Sequence, residues 1–456
     1  MRPLLALAIA AALAGAACDR EEGGHASPAP PSSDAGTPSP APRPSIEEAP
    51  GARLPAVPPQ RLLLGEAAEV MAELCVPPEL LVDADPPEAG ATSPAIAEVE
   101  RQVAEIRDLD WRRPVIAQPI DDHEMDRRIS EAFELQFPAA QYDRRTLAWR
   151  TIGALGPDED LHAALLAFGR GQVVGYYNPQ DGELVYLDDD DDELGLTEKA
   201  VLAHELTHAI DDQHFDLRRI DTLASQCRDE EFTAALAAVE GSAQHFSMQV
   251  LLRYPAPVDA GIIGALTQGT SDDLPAFVAQ LQLLPYTVGQ AFVSSLASDG
   301  GSEAVDAALE DWPTTTEQVL HPERWPDDEP TPIDLPDLIG RGGPALGDGW
   351  RDFDVMQVGE LWLRELLALR LEEADAEGAA AGWDGGAYRA WRDGGRVAVV
   401  LRTAWDTGAD AEGFADAMTR WLDAGSTVGQ AATGRGRIVD VVFASDASTL
   451  ASLVGD

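Results

Sequence analysis

Two histidines four residues apart, His204 and His208, enclose a glutamate, Glu205, in the string VLAHELTHAIDD. On an α-helix, residues at i and i+4 lie on one face, about 5 to 6 Å apart at Cβ, so two imidazoles can bind one zinc ion. Glu205 directly follows the first histidine, where its carboxylate can reach a water on that metal without occupying the coordination sphere. The spacing predicts one catalytic Zn²⁺ held by His204 and His208, with Glu205 as general base.

The surrounding sequence favours this interpretation over a surface helix with two incidental histidines. Glu205 is the only charged residue between Ala200 and Ile210, so the helix has a buried apolar side. Imidazole nitrogens in an apolar environment need partners, and a metal ion satisfies two of them at once. Thr197, which precedes Glu198, is predicted to be the N-cap of this helix.

A zinc centre of this kind needs a third protein ligand, and Glu240 is the predicted one. It lies in EEFTAALAAVEGSAQHFSMQVLL, a predicted helix with a wide apolar stripe, one turn after Leu236. A carboxylate facing a core is costly unless it is paired or bound to a metal. A surface glutamate next to Gly241 is the alternative, and His245 is a weaker candidate ligand on another face.

The set His204, Glu205, His208 and Glu240 resembles the gluzincin group of zincin metallopeptidases, whose ligands are two histidines and a downstream glutamate. HELTHAIDD is similar to the motif of thermolysin-like enzymes, although Glu240 lies 32 residues after His208, a longer gap, and Gln244 replaces an expected acidic residue. A wider resemblance is to secreted or lipid-anchored metallopeptidase-like proteins of bacteria and haloarchaea. It rests on HELTHAIDDQHFDL, VEGSA, PYTVGQAFV, TTEQVLHPERW, GWDGGAYRAW and AWDTGADAEGF.

The resemblance implies an α+β protein with two parts. Residues 61–340 would form a zincin-like, mainly helical metallopeptidase domain with a small edge-strand sheet. Residues 341–456 would form a C-terminal α+β subdomain. The predicted hairpin at 171–187, GQVVGYYNPQDGELVYL, would supply the edge strand that aligns an extended peptide beside the metal.

The implied activity is zinc-dependent hydrolysis of protein or peptide substrates, as an endopeptidase rather than an exopeptidase. Glu205 would take a proton from the zinc-bound water and pass it to the leaving nitrogen. Tyr286 and His321 are candidate oxyanion donors, or else packed and capping residues. Asp212 is predicted either to orient a metal ligand or to accept an N–H at the surface. The rival function is a non-catalytic cell-surface binding or assembly protein on a zincin scaffold, which would have no need of Glu205.

Further elements follow from periodicity. Helices are predicted in LLLGEAAEVMAEL, IAEVERQVAEIRDL and DDHEMDRRISEAFELQF. In the C-terminal part the predicted order is a helix in VGELWLRELLALRLEEA, a strand in RVAVVLRTAW, a helix in AEGFADAMTRWLDA, a strand in RIVDVVFA and a last helix after Ser445 and Asp446. Its tryptophans and Phe414 are predicted to be core or a cap over the metallopeptidase domain, with carbohydrate binding by exposed Trp383 or Trp391 as the alternative.

The first 17 residues have the pattern of a signal peptide, with one arginine, an apolar run and small residues before Cys18. Cys18 resembles the lipidated cysteine of a bacterial lipobox, and an ordinary cleaved signal is the alternative. Residues 18–60 are rich in Pro, Ser and Ala and are predicted to be a disordered tether, or else a proline-rich ligand. We therefore expect an exported bacterial lipoprotein, on the cell surface or facing the periplasm, that meets the membrane only through its lipid.

Cysteine content and charge agree with an exported protein. Cys75 and Cys227 are the pair left after Cys18, so one disulfide is predicted. The formal net charge of −48 repels phosphate backbones and excludes nucleic acid as an expected partner. The sequence does not determine the oligomeric state.

Overall fold

A computed structural model describes residues 57–75, 93–136, 139–172, 175–187, 194–258, 274–338, 346–347, 349–433 and 436–454. The predicted signal peptide, Cys18 and residues 18–56 of the tether lie outside this range. The described part is an α+β fold with two sheets, which confirms the predicted class. None of its helices is long and apolar enough to span a membrane.

The N-terminal part is mainly helical. The three predicted helices are present, and a strand and two further helices accompany them. These elements are α1 (Gly65–Leu74), α2 (Pro94–Arg107), β1 (Ile116–Ile120), α3 (Asp122–Gln136), α4 (Ala139–Ile152) and α5 (Leu161–Gln172).

The predicted hairpin is also present. Strands β2 (Gly175–Asn178) and β3 (Glu183–Leu187) pair antiparallel around the turn at residues 179–182. β1 adds in parallel to β3, so the sheet order is β1-β3-β2 and β2 is an edge strand.

Four helices follow: α6 (Leu196–Phe215), α7 (Arg219–Ser225), α8 (Asp229–Arg253) and α9 (Ala276–Glu310). α6 begins at Leu196, one residue before Thr197, so the predicted Thr197 cap is wrong. Its N-cap is Gly195, whose N–H donates to Glu198 in a capping box. α9 is interrupted at Gly301, where φ is +70°. The short helix α10 (Thr316–Leu320) lies after it.

Two glycines bring α8 and α9 into backbone contact. A Cβ on Gly241 would lie 2.2 Å from the carbonyl oxygen of Gly289, and a Cβ on Gly289 would lie 2.0 Å from that of Ala237. Both positions therefore need glycine. The contact holds the segment after Glu240 against the segment that carries Tyr286.

The C-terminal part is a five-stranded antiparallel sheet with helices, in the order β4-β5-β6-β8-β7. Strands β4, β5 and β7 and helix α12 were not predicted, and the predicted helix at 358–374 is shorter. Its elements are β4 (Arg351–Gln357), α11 (Glu360–Ala368), α12 (Glu373–Ala380), β5 (Trp383–Asp393), β6 (Arg396–Trp405), α13 (Gly408–Asp423), β7 (Gly429–Thr433), β8 (Ile438–Ala444) and α14 (Ala447–Val454).

The large aromatic side chains of this part are core residues. Trp383, Trp391 and Phe414 are all 0 % exposed. The carbohydrate-binding alternative is therefore wrong, because neither indole face is available to a sugar.

Side chains from the two sides of the predicted domain boundary at residue 340 pack together. Leu63 and Met71 lie in one cluster with Ile333 and Val355, so α1 covers one face of the C-terminal sheet. The disulfide Cys75–Cys227 links the end of α1 to the loop before α8. At the end of the predicted tether, the carbonyl of Pro58 accepts a hydrogen bond from Arg228.

Candidate metal centre

His204, His208 and Glu240 meet between α6 and α8. One ligand atom of each lies within 4.8 Å of the others. Nε2 of His204 is 3.2 Å from Oε2 of Glu240, and Nε2 of His208 is 3.4 Å from Oε1. The imidazole centroids are 4.7 Å apart with planes at 79°. Both Nε2 atoms therefore face the same carboxylate, as the spacing on α6 predicts.

The cluster is enclosed by protein. His204, Glu205, His208 and Glu240 are each at most 3 % exposed. Four ionisable groups in one buried volume are costly unless they neutralise one another or bind an ion.

The site's pKa values reflect this enclosure. For His208, burial lowers the pKa, but the carboxylates of Glu240 and Glu205 raise it to about 9 on balance. For Glu240, burial raises the pKa, and the two histidines outweigh burial and lower it to about 2. Burial, with help from Glu240, raises the pKa of Glu205 to about 8.

Glu205 is held by one oxygen only. Its Oε2 accepts a hydrogen bond of 2.7 Å from the backbone N–H of Tyr177 on β2. Its Oε1 is buried and has no hydrogen-bond partner among the described residues. The carboxylate is thus fixed in orientation through Oε2, and Oε1 is left without a partner among the described residues.

The position of β2 agrees with the predicted hairpin beside the metal, but its edge is not open to a peptide. All four β2 residues are buried, and Gly175 packs directly on Val201 of α6. The outward N–H of Tyr177 is already used by Glu205. In this structure the edge strand positions Glu205, and the predicted alignment of an extended peptide on β2 is not available.

Asp212 holds Tyr177 and the helix end, and it makes no hydrogen bond to either histidine in the described structure. Its Oδ2 accepts from the Tyr177 hydroxyl and from Arg113, each at 2.8 Å, and its Oδ1 accepts from the Leu217 N–H. The predicted role of orienting a ligand directly is therefore wrong. Asp212 is an N–H acceptor, as the alternative proposed, although it is buried.

A buried ion-pair network next to His208 was not predicted. Asp211 accepts from Nε of Arg107 at 2.8 Å and from the Ser242 hydroxyl at 2.6 Å. Arg107 also pairs with Asp306 and is 0 % exposed. The network ties α2, α6, α8 and α9 together around the ligands. Sequence reasoning missed it because a lone arginine at a helix C-terminus is usually solvated.

The remaining predicted residues divide between the site and other contacts. The Tyr286 ring centroid lies 6.3 Å from that of His204, so Tyr286 adjoins the cluster. His321 bonds Glu360 of α11 at 3.1 Å instead of a cluster residue. His245 bonds Ser294 and Gln249, which excludes it as the third ligand here.

The donor set fits zinc. Two imidazole nitrogens and one carboxylate oxygen are ligands that zinc prefers, and three protein ligands leave a position open for water or substrate. Nδ1 of His208 and Oε1 of Glu205 are buried without partners in the described part of the chain. These unsatisfied atoms indicate that the protein alone does not supply all the polar partners that the site needs.

The fold and site define an α+β protein with a buried cluster of two histidines and a glutamate. Residues 351–451, which form the C-terminal sheet and its helices, match the model of a domain of unknown function, DUF8575. No curated protein matches the chain. The matched range contains none of the cluster residues, so it bears on the C-terminal part alone.

Proposed function

We propose that this protein is a zinc-dependent metallopeptidase of the zincin type that hydrolyses protein or peptide substrates. The observation that carries the proposal is the convergence of both Nε2 atoms on Glu240, with Glu205 one residue past the first histidine. The proposal includes export and a lipid anchor at Cys18, which rest on the sequence of the first 18 residues.

His204, His208 and Glu240 would hold the metal. A bound zinc ion supplies Lewis-acid polarisation of a carbonyl and lowers the pKa of water. Glu205 accepts the proton at Oε1, since the Tyr177 N–H occupies Oε2, and delivers it to the leaving nitrogen. Tyr286, beside His204, is the predicted donor toward the developing oxyanion.

The enclosure of the metal centre bears on the choice between a peptidase and a non-catalytic scaffold. Because the cluster residues are at most 3 % exposed, a polypeptide reaches Glu205 only after the covering segments move. A permanently closed centre would instead make the metal structural and the protein a non-catalytic scaffold. The intact Glu205 favours the peptidase, because a structural site needs no general base.

Cleavage of a denatured protein mixture tests the proposal. The wild-type chain, Glu205→Gln and Glu412→Gln are loaded with zinc, and new termini are identified by mass spectrometry. Glu412 is exposed on α13 and serves as the matched control. Cleavage by wild type and Glu412→Gln but not by Glu205→Gln is expected. Zinc binding without cleavage by any of the three would favour the scaffold.

A further inference from the structure

A second site lies between the helical part and the C-terminal sheet. A cavity of about 230 Å³ is walled by α4, α5, α8, α9, β4 and α11, with largely apolar side chains such as Trp149, Phe168 and Trp362. An apolar cavity of about 150 Å³ is known to hold benzene. This cavity therefore has room for a ring-sized ligand with a polar substituent. Half-buried Gln282 belongs to the lining, which leaves an approach from solvent.

The lining contains polar groups whose partners are absent from the described protein. Gln357, at the end of β4, is 0 % exposed, and neither atom of its amide makes a hydrogen bond. The indole Nε1 atoms of Trp149 and Trp362 are likewise buried and without partners among the described residues. A buried polar group that is left unpaired destabilises the folded protein. Three of them around one cavity are best explained by a bound molecule that pairs with them.

The charges of the lining restrict the ligand to a neutral one. Arg145 and Arg228 are the cations that line the cavity. Arg145 is already paired with Asp229 and Asp354, and Arg228 is paired with Glu231. Glu230 also lines the cavity, so a carboxylate ligand would meet no free positive charge. The two indole N–H groups need acceptors, which an ammonium ligand does not have.

We propose that this cavity binds a compact neutral carboxamide with an aromatic or branched aliphatic body. The ligand carbonyl accepts from the indole N–H groups and from the Gln357 amide N–H. The ligand N–H donates to Oε1 of Gln357, because two carboxamides are complementary in donors and acceptors. Such an amide can come from a free small molecule or from a peptide. Tyr286, beside His204, is also part of the lining, so the cavity adjoins the predicted metal centre. The amide site itself is assigned from Gln357, Trp149 and Trp362, and its test needs no zinc.

Saturation-transfer NMR on the full chain tests the proposal. The probes are benzamide, N-acetyl-phenylalaninamide, benzoate and ethylbenzene, and their relative affinities follow from titration. We expect at least one of the two amides to bind at least about tenfold more tightly than benzoate and ethylbenzene, equivalent to one hydrogen-bonded pair. The better of the two amides identifies the free or the peptide source. Failure of both amides to bind, which would leave the cavity to water, overturns the proposal.

Variants separate the cavity from general stability. Gln357→Leu should lower amide affinity about tenfold and leave ethylbenzene binding unchanged, and Leu165→Trp should block every probe by filling the space. Gln102→Leu, a buried glutamine on α2 outside the lining, is the matched control. If Gln357→Leu does not fold, Trp362→Phe serves instead. It keeps an aromatic ring at this position but removes the indole N–H, and should weaken amide binding several-fold. Equal amide binding by the control and by the folded lining variant overturns the proposal.

Discussion

The backbone N–H of Tyr177 donates to Oε2 of Glu205 over 2.7 Å, and the phenol of the same tyrosine donates to Asp212 over 2.8 Å. Edge strand β2 is therefore attached to α6 at two points about two helical turns apart, and His208 lies between them. This attachment explains how the small sheet packed on α6 fixes the orientation of Glu205.

Removal of the Tyr177 hydroxyl should weaken the attachment of β2 to α6. Tyr177→Phe keeps the N–H bond to Glu205 but leaves buried Asp212 with one donor fewer, so we expect a loss of about 1–3 kcal/mol in unfolding free energy. Urea denaturation measures it. Zinc stoichiometry should be unchanged, since no metal ligand is touched. A variant as stable as wild type would show that the 2.8 Å contact contributes nothing.

The glycine contact between α8 and α9 should tolerate no side chain. Gly289→Ala places a methyl group 2.0 Å from the Ala237 carbonyl oxygen, so the two helices must separate. We expect the unfolding free energy, measured by thermal denaturation, to fall by at least about 2 kcal/mol. Gly413→Ala on α13 is the matched control. Its Cβ meets nothing within 4 Å, so it should stabilise by about 0.5–1 kcal/mol. Equal effects at both positions would contradict the packing.

Arg107 should matter far more than its neighbour on the same helix. Arg107→Met leaves Asp211 buried without its ion partner, and we expect a loss of about 3–5 kcal/mol by chemical denaturation. Arg101→Met removes exposed ion pairs with Glu98 and Glu105 and a surface contact with the Tyr254 ring, so its cost should stay below about 1 kcal/mol. A loss for Arg107→Met as small as that for Arg101→Met would show that the buried network does not stabilise the fold.

Glu230 should make stability depend on pH. Burial raises its pKa from 4.5 to about 7, although Thr316 donates to it. The folded state thus binds the proton more tightly than the unfolded state. The contribution of Glu230 to folding stability is complete below about pH 4.5 and is lost as the pH rises through 7.

Glu230→Gln cannot ionise and should therefore gain up to about 3 kcal/mol relative to wild type at pH 8, and little at pH 4.5. Unfolding free energies at the two pH values measure this difference. Glu303→Gln, at an exposed position on α9, should show no such pH dependence. A gain that is equal at both pH values would contradict the assigned cause.

The local sequence pattern was sufficient to predict those site residues whose position depends on a single helix. The i, i+4 spacing of His204 and His208 predicted their shared face, and the apolar stripe of α8 indicated Glu240. Pairing between distant segments could not be predicted this way. The Tyr177–Glu205 bond and the Arg107–Asp211 pair depend on tertiary packing, and local periodicity does not encode that packing.

The sheet elements show the same limit. The hairpin was predictable because turn residues at 179–182 separate two apolar runs, whereas β4 and β7 lack such a signal. Asp212 is one turn after His208, which suggested a ligand contact. Its carboxylate instead meets three donors from the sheet side and the helix end.

Metal stoichiometry tests the central claim most directly. Full-length wild type, Glu240→Gln and the exposed control Glu303→Gln are dialysed against equal zinc and analysed by elemental mass spectrometry. The account predicts one zinc per chain in wild type and in the control, and a loss of at least about tenfold in zinc affinity for Glu240→Gln. Absence of zinc from wild type, or full retention by Glu240→Gln, would contradict the metal centre.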